Sequence, residues 1–562
     1  MNKQLIECVP NFSEGRDLSI IKQITDVIEA VDGVKLLDVD PGKATNRTVV
    51  TFVGEPEPVI EAAYQAMKKA SEVIDMSKQE GEHPRMGATD VCPLIPIANI
   101  TMEETAEYAH KLGERAGQNL EIPFYMYESA ATKKAWRNLA TIRAGEYEAL
   151  PEKLGKAEWK PDYGPSKFNA KSGATAIGAR GFLIAYNVNL NTTSVRRANS
   201  VAFDVREQGR AKRKGNPITG AIVKDKKGNP QRVPGACKSV KGIGWFIEEY
   251  GIAQISMNLT DINISPLHKV FEECCKSANK RGMRVTGSEL VGLVPLQVML
   301  DAGRYFLKKQ ERSIGVSDAE IIKIAAKSLG LDELSEFDPQ KKIIEYQLEG
   351  ADTAPLLAMN LRSFADETAS ESMAPGGGSI AAYVGALGVS LATMVANLSS
   401  HKRGWDSRWE EFSTHAAEGQ RLKDALLKMV DEDTNSFNAI IAAFRLPKGN
   451  ESEKVTRKAA VQAATKYAIE VPYKVMELSL QIFDLSLAMI KDGNPNSITD
   501  AGVGALCART AVHGAFMNVK INTADLEDKK YVAKVLRDGK KLASKADKLE
   551  KEVAKLVAAK IG

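Results

Sequence analysis

Residues 34–54 read VKLLDVDPGKATNRTVVTFVG, two short β-branched runs separated by a Pro-Gly turn. The runs VKLLDV (34–39) and RTVVTFVG (47–54) are typical of strands, because branched side chains favour an extended backbone. Segments with the 3.6-residue periodicity of helices lie on either side, at about 18–31 and 57–74. Strands that alternate with helices predict an α/β fold for this part of the chain.

The same alternation continues beyond this stretch. Further strands are predicted at 5–10, 122–129, 182–190 and 252–260, and further helices at about 193–208 and 266–281. A seam near GATAIGARG (173–181) divides the region, so we expect two α/β subdomains, 1–180 and 181–312. Residues 213–235 predict an exposed β-hairpin whose tip uses positive φ at Gly228 and Asn229.

The character of the sequence changes towards the C-terminal part. Ser317 and Glu320 have the spacing of a helix-capping box, and a polar, proline-containing stretch follows, so 313–351 should hold a helix and a linker. From 352 to 562 we expect an all-α helical domain, with helices at 361–370, 379–400, 408–444, 452–489, 499–519 and 527–560. The uncharged run 380–398 is long enough to span a membrane, but its small and polar residues and the lack of a second such run favour a buried core helix.

The composition excludes several classes of protein. The 562 residues carry 76 Lys and Arg against 72 Asp and Glu, a net charge of +4 that gives no nucleic-acid footprint. Six cysteines without a Cys-x-x-Cys pair indicate thiols in a reducing cytoplasm. The N-terminus, MNKQLIECVPNF, lacks the apolar stretch of a signal peptide. We therefore expect a cytoplasmic protein with no nucleic-acid partner, no membrane and no metal.

His83, in EGEHPRMGATDVCP (80–93), is the first candidate for chemistry. Imidazole titrates near neutral pH, so His83 could serve as a general base. A zinc site would need more ligands at metal-binding spacing than this stretch offers. Gly81 and Gly87 permit a tight loop, and Pro84 favours an extended backbone at His83. On these residues alone, a solvated or structural loop histidine is the more common outcome.

Three further stretches carry polar groups that suit a ligand site. Asp40 and Arg47 follow the end of a predicted strand, where they either face a cleft or satisfy the turn itself. The stretch PGGGS (375–379) precedes the apolar helix; its backbone N–H groups favour an anion, although a flexible joint also explains the glycines. In MVDEDTNSFN (429–438), Asp433 lies either in a solvated acidic turn or half-buried with a raised pKa.

Together these stretches resemble one enzyme family. Five of them resemble the glutamate formimidoyltransferases: LIECVPNFSEGR (5–16), LLDVDPGKATNRTVVTFVG (36–54), GEHPRMGATDVCP (81–93), IRAGEYEALPEKL (142–154) and REQGR (206–210). Three others resemble the cyclodeaminases: PGGGSIAA (375–382), the 431–437 stretch and FMNVKIN (516–522). Their order is that of the formimidoyltransferase-cyclodeaminase family, and the resemblance covers nearly the whole chain.

The resemblance implies two α/β sandwich subdomains of formiminotransferase type, followed by an all-α cyclodeaminase domain at 352–562. It implies transfer of the formimino group of N-formimino-L-glutamate to N5 of tetrahydrofolate, then closure to 5,10-methenyltetrahydrofolate with release of ammonia, in histidine degradation. Tetrahydrofolate would be a polyglutamylated co-substrate, without a metal, in a homo-oligomer built from dimers. Two alternatives stay open: a transferase whose helical part is a cyclohydrolase-like or assembly module, and a non-catalytic folate-binding scaffold.

Carried over to this sequence, the resemblance makes His83 the catalytic base of the transferase, with Asp40 as the group that orients it. Arg47 becomes the candidate for a substrate carboxylate. Asp433 becomes the catalytic carboxyl group of the cyclodeaminase, with Asp431 as the open alternative. The implied folate-binding residues are Gly164, Pro165, Ser166, Lys167, Phe168, Asn169, Ala170, Lys171, Ser172, Gly173, Gly376, Gly377, Gly378 and Ser379. The 213–235 segment is longer than the family connection and bears on assembly rather than on the reaction.

Overall fold

Each strand and helix predicted above is present in the structure, a computed structural model that describes residues 4–43, 45–81, 83–216, 219–348 and 354–561. The strands are β1 (Leu5–Cys8), β2 (Asn11–Phe12), β3 (Val34–Gly42), β4 (Arg47–Gly54), β5 (Thr89–Ala98), β6 (Phe124–Glu128), β7 (Thr175–Ala179), β8 (Ile184–Leu190), β9 (Arg210–Ala211), β10 (Arg232–Val233), β11 (Val240–Ile247), β12 (Ile252–Leu259) and β13 (Val285–Val291). The helices are α1 (Leu18–Glu29), α2 (Pro56–Val73), α3 (Met102–Asn119), α4 (Leu139–Arg143), α5 (Leu150–Leu154), α6 (Val195–Val205), α7 (Leu267–Asn279), α8 (Leu296–Lys309), α9 (Asp318–Leu329), α10 (Pro339–Lys342), α11 (Ile344–Leu348), α12 (Leu361–Thr368), α13 (Gly377–Ser400), α14 (Trp409–Phe444), α15 (Glu451–Asp492), α16 (Ile498–Asn522) and α17 (Lys529–Ile561).

By internal contacts the chain divides into two units. The α/β unit comprises Met1–Ala302 with Ala326–Leu348, and the helical unit comprises Gly303–Ala325 with Glu349–Gly562. The predicted fold class, α/β followed by all-α, is confirmed. The finer domain boundaries, at 180/181, 312/313 and 351/352, stay predictions.

The first sheet of the α/β unit has seven strands. β1 and β2 both lie between β4 and β5, β3 pairs with β4, and β7 and β6 continue beyond β5. The β5–β7 and β7–β6 pairs are parallel and the others antiparallel. Because side chains alternate along a strand, Ile6 and Cys8 pack in the core under helices α1 to α3, whereas Glu7 and Val9 face the opposite side.

The second sheet has the order β11–β12–β8–β13 and is antiparallel throughout. Helices α6 and α7 pack on it, so each sheet forms a two-layer sandwich with its own helices, as the resemblance implies. The predicted hairpin within 213–235 is present as short pairings, β9 with β10 and Lys224 with Pro230. At its tip only Gly228 has a positive φ, of 85°; the prediction of positive φ at Asn229 is wrong.

The sequence patterns did not predict two large elements of the first sandwich, strand β5 and helix α3. Strand β5, central in the first sheet, contains Pro93 and Pro96, and proline normally argues against a central strand because it lacks an N–H group. Helix α3 carries a Thr101–Glu104 capping box, in which each side chain bonds the other residue's backbone N–H. That Thr-x-x-Glu signature was available in the sequence and would have predicted the helix.

The helical unit is organised around α13, which packs against α14, α15 and α16 in one apolar core. In the described part of the chain α13 is the one helix long and apolar enough to cross a membrane by length and composition, and most of its apolar run is buried within the unit. That burial agrees with the predicted core helix. Gly388 of α13 lies against the backbone of Gly504, so small residues allow α13 and α16 to approach closely.

Candidate active sites

A cavity of about 530 Å³ lies in the α/β unit, within the size range of ligand pockets. The inner faces of both sheets contribute to it: Val9 and Val91 come from the first sheet, and Trp245 and Gln254 from the second. Three predicted site residues also line it: Asp40, Arg47 and His83. The structure therefore brings together, at one cavity, groups that are far apart in the sequence.

His83 lies in a loop whose path depends on close backbone contacts. A Cβ atom at Gly87 would overlap the carbonyl oxygen of Ala174, and one at Gly81 would overlap that of Thr45. The predicted role of both glycines in a tight loop is thus confirmed. Such contacts hold the half-buried His83 at the cavity wall.

The tautomer of His83 follows from one hydrogen bond. Its Nδ1 lies 2.7 Å from the carbonyl oxygen of Pro84, and a carbonyl can only accept. Nδ1 therefore carries the proton, and in neutral imidazole Nε2 is left with its lone pair. No residue in the described ranges forms a hydrogen bond with Nε2, so this nitrogen can accept a proton from a ligand.

A buried carboxylate with two arginines lies next to His83. Asp90 is fully buried, accepts a hydrogen bond from the Met86 backbone N–H at 3.0 Å, and pairs with the guanidinium groups of Arg47 and Arg143. Arg143 reaches Asp90 Oδ2 at 2.8 Å. Burial works against ionisation, but the guanidinium groups of Arg143 and Arg47 hold the pKa of Asp90 below its usual value.

The same two arginines lower the pKa of His83. Burial, together with the charges of Arg47 and Arg143, lowers the pKa of His83 from 6.5 to about 3, against the opposing charge of Asp90. His83 is therefore neutral at physiological pH, the state required of a base. Arg143 lines the cavity but was not singled out in the sequence; it lies within the stretch IRAGEYEALPEKL (142–154), which gave no separate signal for its side chain.

Replacing Asp90 with asparagine should destabilise the α/β unit. The change leaves two guanidinium groups without a buried counter-charge, a loss typically of about 3–5 kcal/mol in the free energy of unfolding. Urea titration of the Asp90→Asn protein measures it. Asp26→Asn is the matched control, since the Asp26–Lys22 pair is exposed and should contribute less than about 1 kcal/mol. Equal stability of the two variants would contradict the prediction.

Asp40 lies at the cavity but has another partner. Its Oδ2 accepts a hydrogen bond from the backbone N–H of Gly292 at 3.0 Å, which joins β3 to the end of β13. No hydrogen bond between Asp40 and His83 occurs among the described residues. The orienting role of Asp40 stays a prediction.

The predicted folate-binding stretch 164–173 lies elsewhere in the α/β unit. None of its residues belongs to the cavity lining. It packs instead against the loop that follows His83, where the Ser172 carbonyl accepts the Ala88 N–H at 2.9 Å, and against the 142–154 stretch, where the rings of Tyr147 and Phe168 are 5.4 Å apart. Its contact with folate therefore stays a prediction, and this packing by itself supports the His83 loop.

The second candidate site lies in the helical unit, where α13 begins next to Asp433 of α14. Asp433 Oδ2 accepts the Ser379 backbone N–H at 2.9 Å; the Ser379 hydroxyl lies 3.3 Å from the same oxygen and donates to the Val430 carbonyl at 2.8 Å. Burial raises the pKa of Asp433, and the interactions with Ser379 only partly oppose this. The side chain of Asn518, within the quoted stretch FMNVKIN (516–522) but not singled out there, lies beside Gly377. A carboxyl group that can hold or release a proton thus lies at the start of α13.

Asp431, the alternative to Asp433 as the catalytic carboxyl group, is buried and bonded to the backbone. It is 5% exposed, and its two carboxylate oxygens accept the backbone N–H groups of Leu356 and Leu357 at 2.9 and 3.3 Å. Both oxygens are therefore occupied by the chain that precedes α12. Asp433 keeps one oxygen, Oδ1, without a described hydrogen bond, so the geometry favours Asp433 as the group available to a ligand.

The glycines before α13 have distinct local roles. Gly376 is the N-cap residue and α13 begins at Gly377, so the N–H groups of the first turn are oriented as expected for a ligand-binding loop. A Cβ atom at Gly378 would overlap the Asp433 carboxylate. Only glycine lets this helix start approach the carboxyl group so closely.

Replacing Gly378 with alanine should therefore displace Asp433. A shift of about 1 Å in a catalytic group can lower a rate roughly 10²-fold, so we expect a loss of that order in any activity of the helical unit. Activity at the His83 cavity should not change. Gly449→Ala, at an exposed position before α15, is the control. Full activity of Gly378→Ala in the helical unit would show that Asp433 is not the reacting group.

Within the described residues no group of three or more His, Cys, Asp or Glu side chains could hold a metal ion. The expectation that no metal is used stays a prediction. None of the six cysteines, all within the described ranges, forms a disulfide, and four of them are buried.

Comparison with known proteins covers both units. The family model described as "Formiminotransferase domain, N-terminal subdomain" matches residues 5–180, "Formiminotransferase domain" matches 185–349, and "Formiminotransferase-cyclodeaminase" matches 360–541. The chain is 44% identical over 532 residues to formimidoyltransferase-cyclodeaminase of Gallus gallus, a match that covers 94% of each protein.

Two further relatives each match one part of the chain. Glutamate formimidoyltransferase of Streptococcus pyogenes serotype M1 is 39% identical over 308 residues, 55% of this chain and 95% of that protein. Methenyltetrahydrofolate cyclohydrolase of Methylorubrum extorquens is 31% identical over 201 residues, 36% of this chain and 97% of that protein. The family resemblance drawn from the sequence is confirmed: the chain belongs to the formiminotransferase-cyclodeaminase family.

Proposed function

We propose that this protein is a bifunctional folate enzyme of histidine degradation. It transfers the formimino group of N-formimino-L-glutamate to tetrahydrofolate, giving 5-formiminotetrahydrofolate and glutamate. It then converts 5-formiminotetrahydrofolate to 5,10-methenyltetrahydrofolate and ammonia. The observation that carries the first activity is a neutral His83 whose Nε2 is unpaired among the described residues and lies at the wall of a cavity of folate size.

The transfer step needs one proton to be moved twice. As N5 of tetrahydrofolate attacks the formimino carbon, His83 Nε2 accepts the N5 proton. When the bond from that carbon to the glutamate nitrogen breaks, the imidazolium returns the proton to the departing amine. A single histidine can act as base and then as acid in this way.

Substrate binding should also raise the pKa of His83. Arg47 and Arg143 suit the carboxylates of formiminoglutamate, because guanidinium groups bind carboxylates bidentately. Their positive charges lower the pKa of His83 in the free protein. A bound carboxylate offsets those charges, so the pKa of His83 rises when the substrate is in place, towards the range where a general base is effective.

The ring closure needs a carboxyl group of the kind that Asp433 provides. N10 attacks the carbon of the protonated formimino group, –CH=NH2⁺, and the Asp433 carboxylate accepts the N10 proton. The proton then passes to the leaving nitrogen, which departs as ammonia while the five-membered ring closes. The burial that raises the pKa of Asp433 makes this carboxyl group a better base and a readier carrier of the proton.

One experiment tests both activities. Purified protein is mixed with formiminoglutamate and tetrahydrofolate, and the absorbance of methenyltetrahydrofolate is followed in parallel with ammonia. Equal amounts of both products support the proposal. Formation of 5-formiminotetrahydrofolate without ammonia would leave only the transferase. Binding of folate with no turnover would indicate a scaffold.

The similarity to methenyltetrahydrofolate cyclohydrolase supports a second candidate for the helical unit. A cyclohydrolase would open 5,10-methenyltetrahydrofolate with water and would release no ammonia from 5-formiminotetrahydrofolate. Supplying each compound separately to the protein distinguishes the two. We favour the cyclodeaminase, because the model that covers 360–541 carries that description.

We further propose a cytoplasmic homo-oligomer built from dimers that prefers polyglutamylated folate. Six cysteines, none of them in a disulfide among the described residues, suit a reducing compartment. Apolar side chains left exposed on α13 and α16, among them Leu398 and Leu506, suit contact between helical units. Sedimentation of the purified protein measures the oligomeric state, and KM values for folates with different numbers of glutamates measure the preference.

A further inference from the structure

Glu7 of β1 is a buried carboxyl group that the proposed chemistry leaves without a role. It is only 3% exposed, yet its side chain lines the cavity of the α/β unit. No residue in the ranges that the structure describes donates a hydrogen bond to its carboxylate oxygens. Buried polar groups nearly always have hydrogen-bond partners, so Glu7 lacks donors that a ligand in this cavity can supply.

The charges around Glu7 also suit a ligand that donates hydrogen bonds. Burial raises its pKa from 4.5 to about 7, with Arg180 opposing and Glu345 adding to the shift. Arg180 also lines the cavity. Without a ligand the carboxyl group is therefore only partly ionised at neutral pH, and two donors from a ligand would favour the ionised form.

The register of the first sheet places Glu7 and the Arg47 partner Asn11 at different positions along β5. Glu7 pairs with Ile95 of β5, whereas Asn11, which accepts a hydrogen bond from Arg47 at 2.9 Å, pairs with Val91. Four residues along β5 correspond to roughly 13 Å. Since Arg47 acts on His83, the reacting end of the cavity lies near Val91 and Glu7 marks the opposite end.

A pterin held at Glu7 can extend towards the His83 end of the cavity. The 2-amino group and N5 are attached to opposite carbons of its pyrimidine ring, so one pterin can present donors to Glu7 while N5 faces the His83 end. The N3–H and 2-amino groups of a pterin are parallel donors, and a carboxylate offers two parallel acceptors.

We propose that Glu7 binds the 2-amino-4-oxopyrimidine edge of tetrahydrofolate and thereby holds N5 at His83. This inference rests on the proposed transferase function of the same cavity. Arg180, which lines the cavity at the same end, can donate to the 4-oxo group. The amidine of formiminoglutamate suits Glu7 less well, because its reacting carbon would then lie next to Glu7, at the end of the cavity away from His83.

The test is a pair of substitutions, one in the protein and one in the ligand. Steady-state KM and kcat of the transferase are measured for wild type and Glu7→Gln, with tetrahydrofolate and with an analogue that carries a methyl group in place of the 2-amino group. Glutamine has the shape of the neutral carboxyl group, so the fold should tolerate it. Glu29→Gln, at the exposed end of α1, is the matched control. Conversion of added 5-formiminotetrahydrofolate by the helical unit serves as a control within the same chain.

We expect Glu7→Gln to raise KM for tetrahydrofolate roughly 10–100-fold, with kcat and KM for formiminoglutamate unchanged within about 3-fold. Wild type should lose a similar factor with the analogue, and Glu7→Gln should lose nothing further. A lower kcat with unchanged KM would make Glu7 a proton carrier and overturn the proposal. So would independent, multiplying losses from the two changes. Absence of transferase activity in wild type would refute the proposed function itself, a distinct outcome.

Discussion

Replacing His83 with alanine should lower formimino transfer roughly 10²–10⁴-fold, the usual contribution of a general acid–base group. The loss should fall on kcat, because His83 is the one histidine among the described residues that line the cavity. Ring closure of added 5-formiminotetrahydrofolate should continue at the wild-type rate, since Asp433 lies in the other unit. Production of methenyltetrahydrofolate from each starting compound separates the two results.

The protonation state of His83 provides a check that does not depend on turnover. Its pKa of about 3 predicts that the imidazole stays neutral at pH 5, where an exposed histidine is largely protonated. The ¹⁵N shifts of wild type, compared with those of His83→Ala, identify the His83 signal and show its state. A His83 that titrates near 6.5 would mean that Arg47 and Arg143 do not act on it as described. Full transfer activity of His83→Ala would place the base elsewhere in the cavity.

Replacing Asp433 with asparagine should have the reverse effect. Asparagine keeps the shape of the side chain and can still accept from Ser379, but it cannot carry the proton between N10 and the leaving nitrogen. Release of ammonia from 5-formiminotetrahydrofolate should fall roughly 10²–10⁴-fold. Transfer should continue, so 5-formiminotetrahydrofolate should accumulate when the protein is given formiminoglutamate and tetrahydrofolate.

Asp431→Asn is the matched comparison for Asp433→Asn. Both residues lie on α14, but Asp431 receives two backbone N–H groups and has no free oxygen among the described contacts. Its substitution should lower the stability of the helical unit more than the rate of the folded enzyme. A loss of ammonia release confined to Asp431→Asn, with normal stability, would exchange the roles of the two aspartates.

Sequence patterns predicted the helices of the helical unit more completely than the strands of the α/β unit, for physical reasons. Long helices with caps are local structures, so α13 to α17 follow from periodicity within a few residues. Strand β5 depends on partners far away in the sequence, and its two prolines conceal it from local rules. Its pairing with β1, β2 and β7 nevertheless makes it central, and it places Asp90 where two arginines can reach it.

By itself, the sequence determined the α/β-then-helical order, the family, and the stretches that carry His83 and Asp433. Those features depend on local periodicity and on motifs that are continuous along the chain. Only the tertiary structure decided that Arg143 and Asp90 accompany His83, that Asp40 binds Gly292, and that Glu7 lies unpaired at the far end of the cavity. These relations depend on strand register and on the approach of two sheets, which bring together residues that no spacing in the sequence connects.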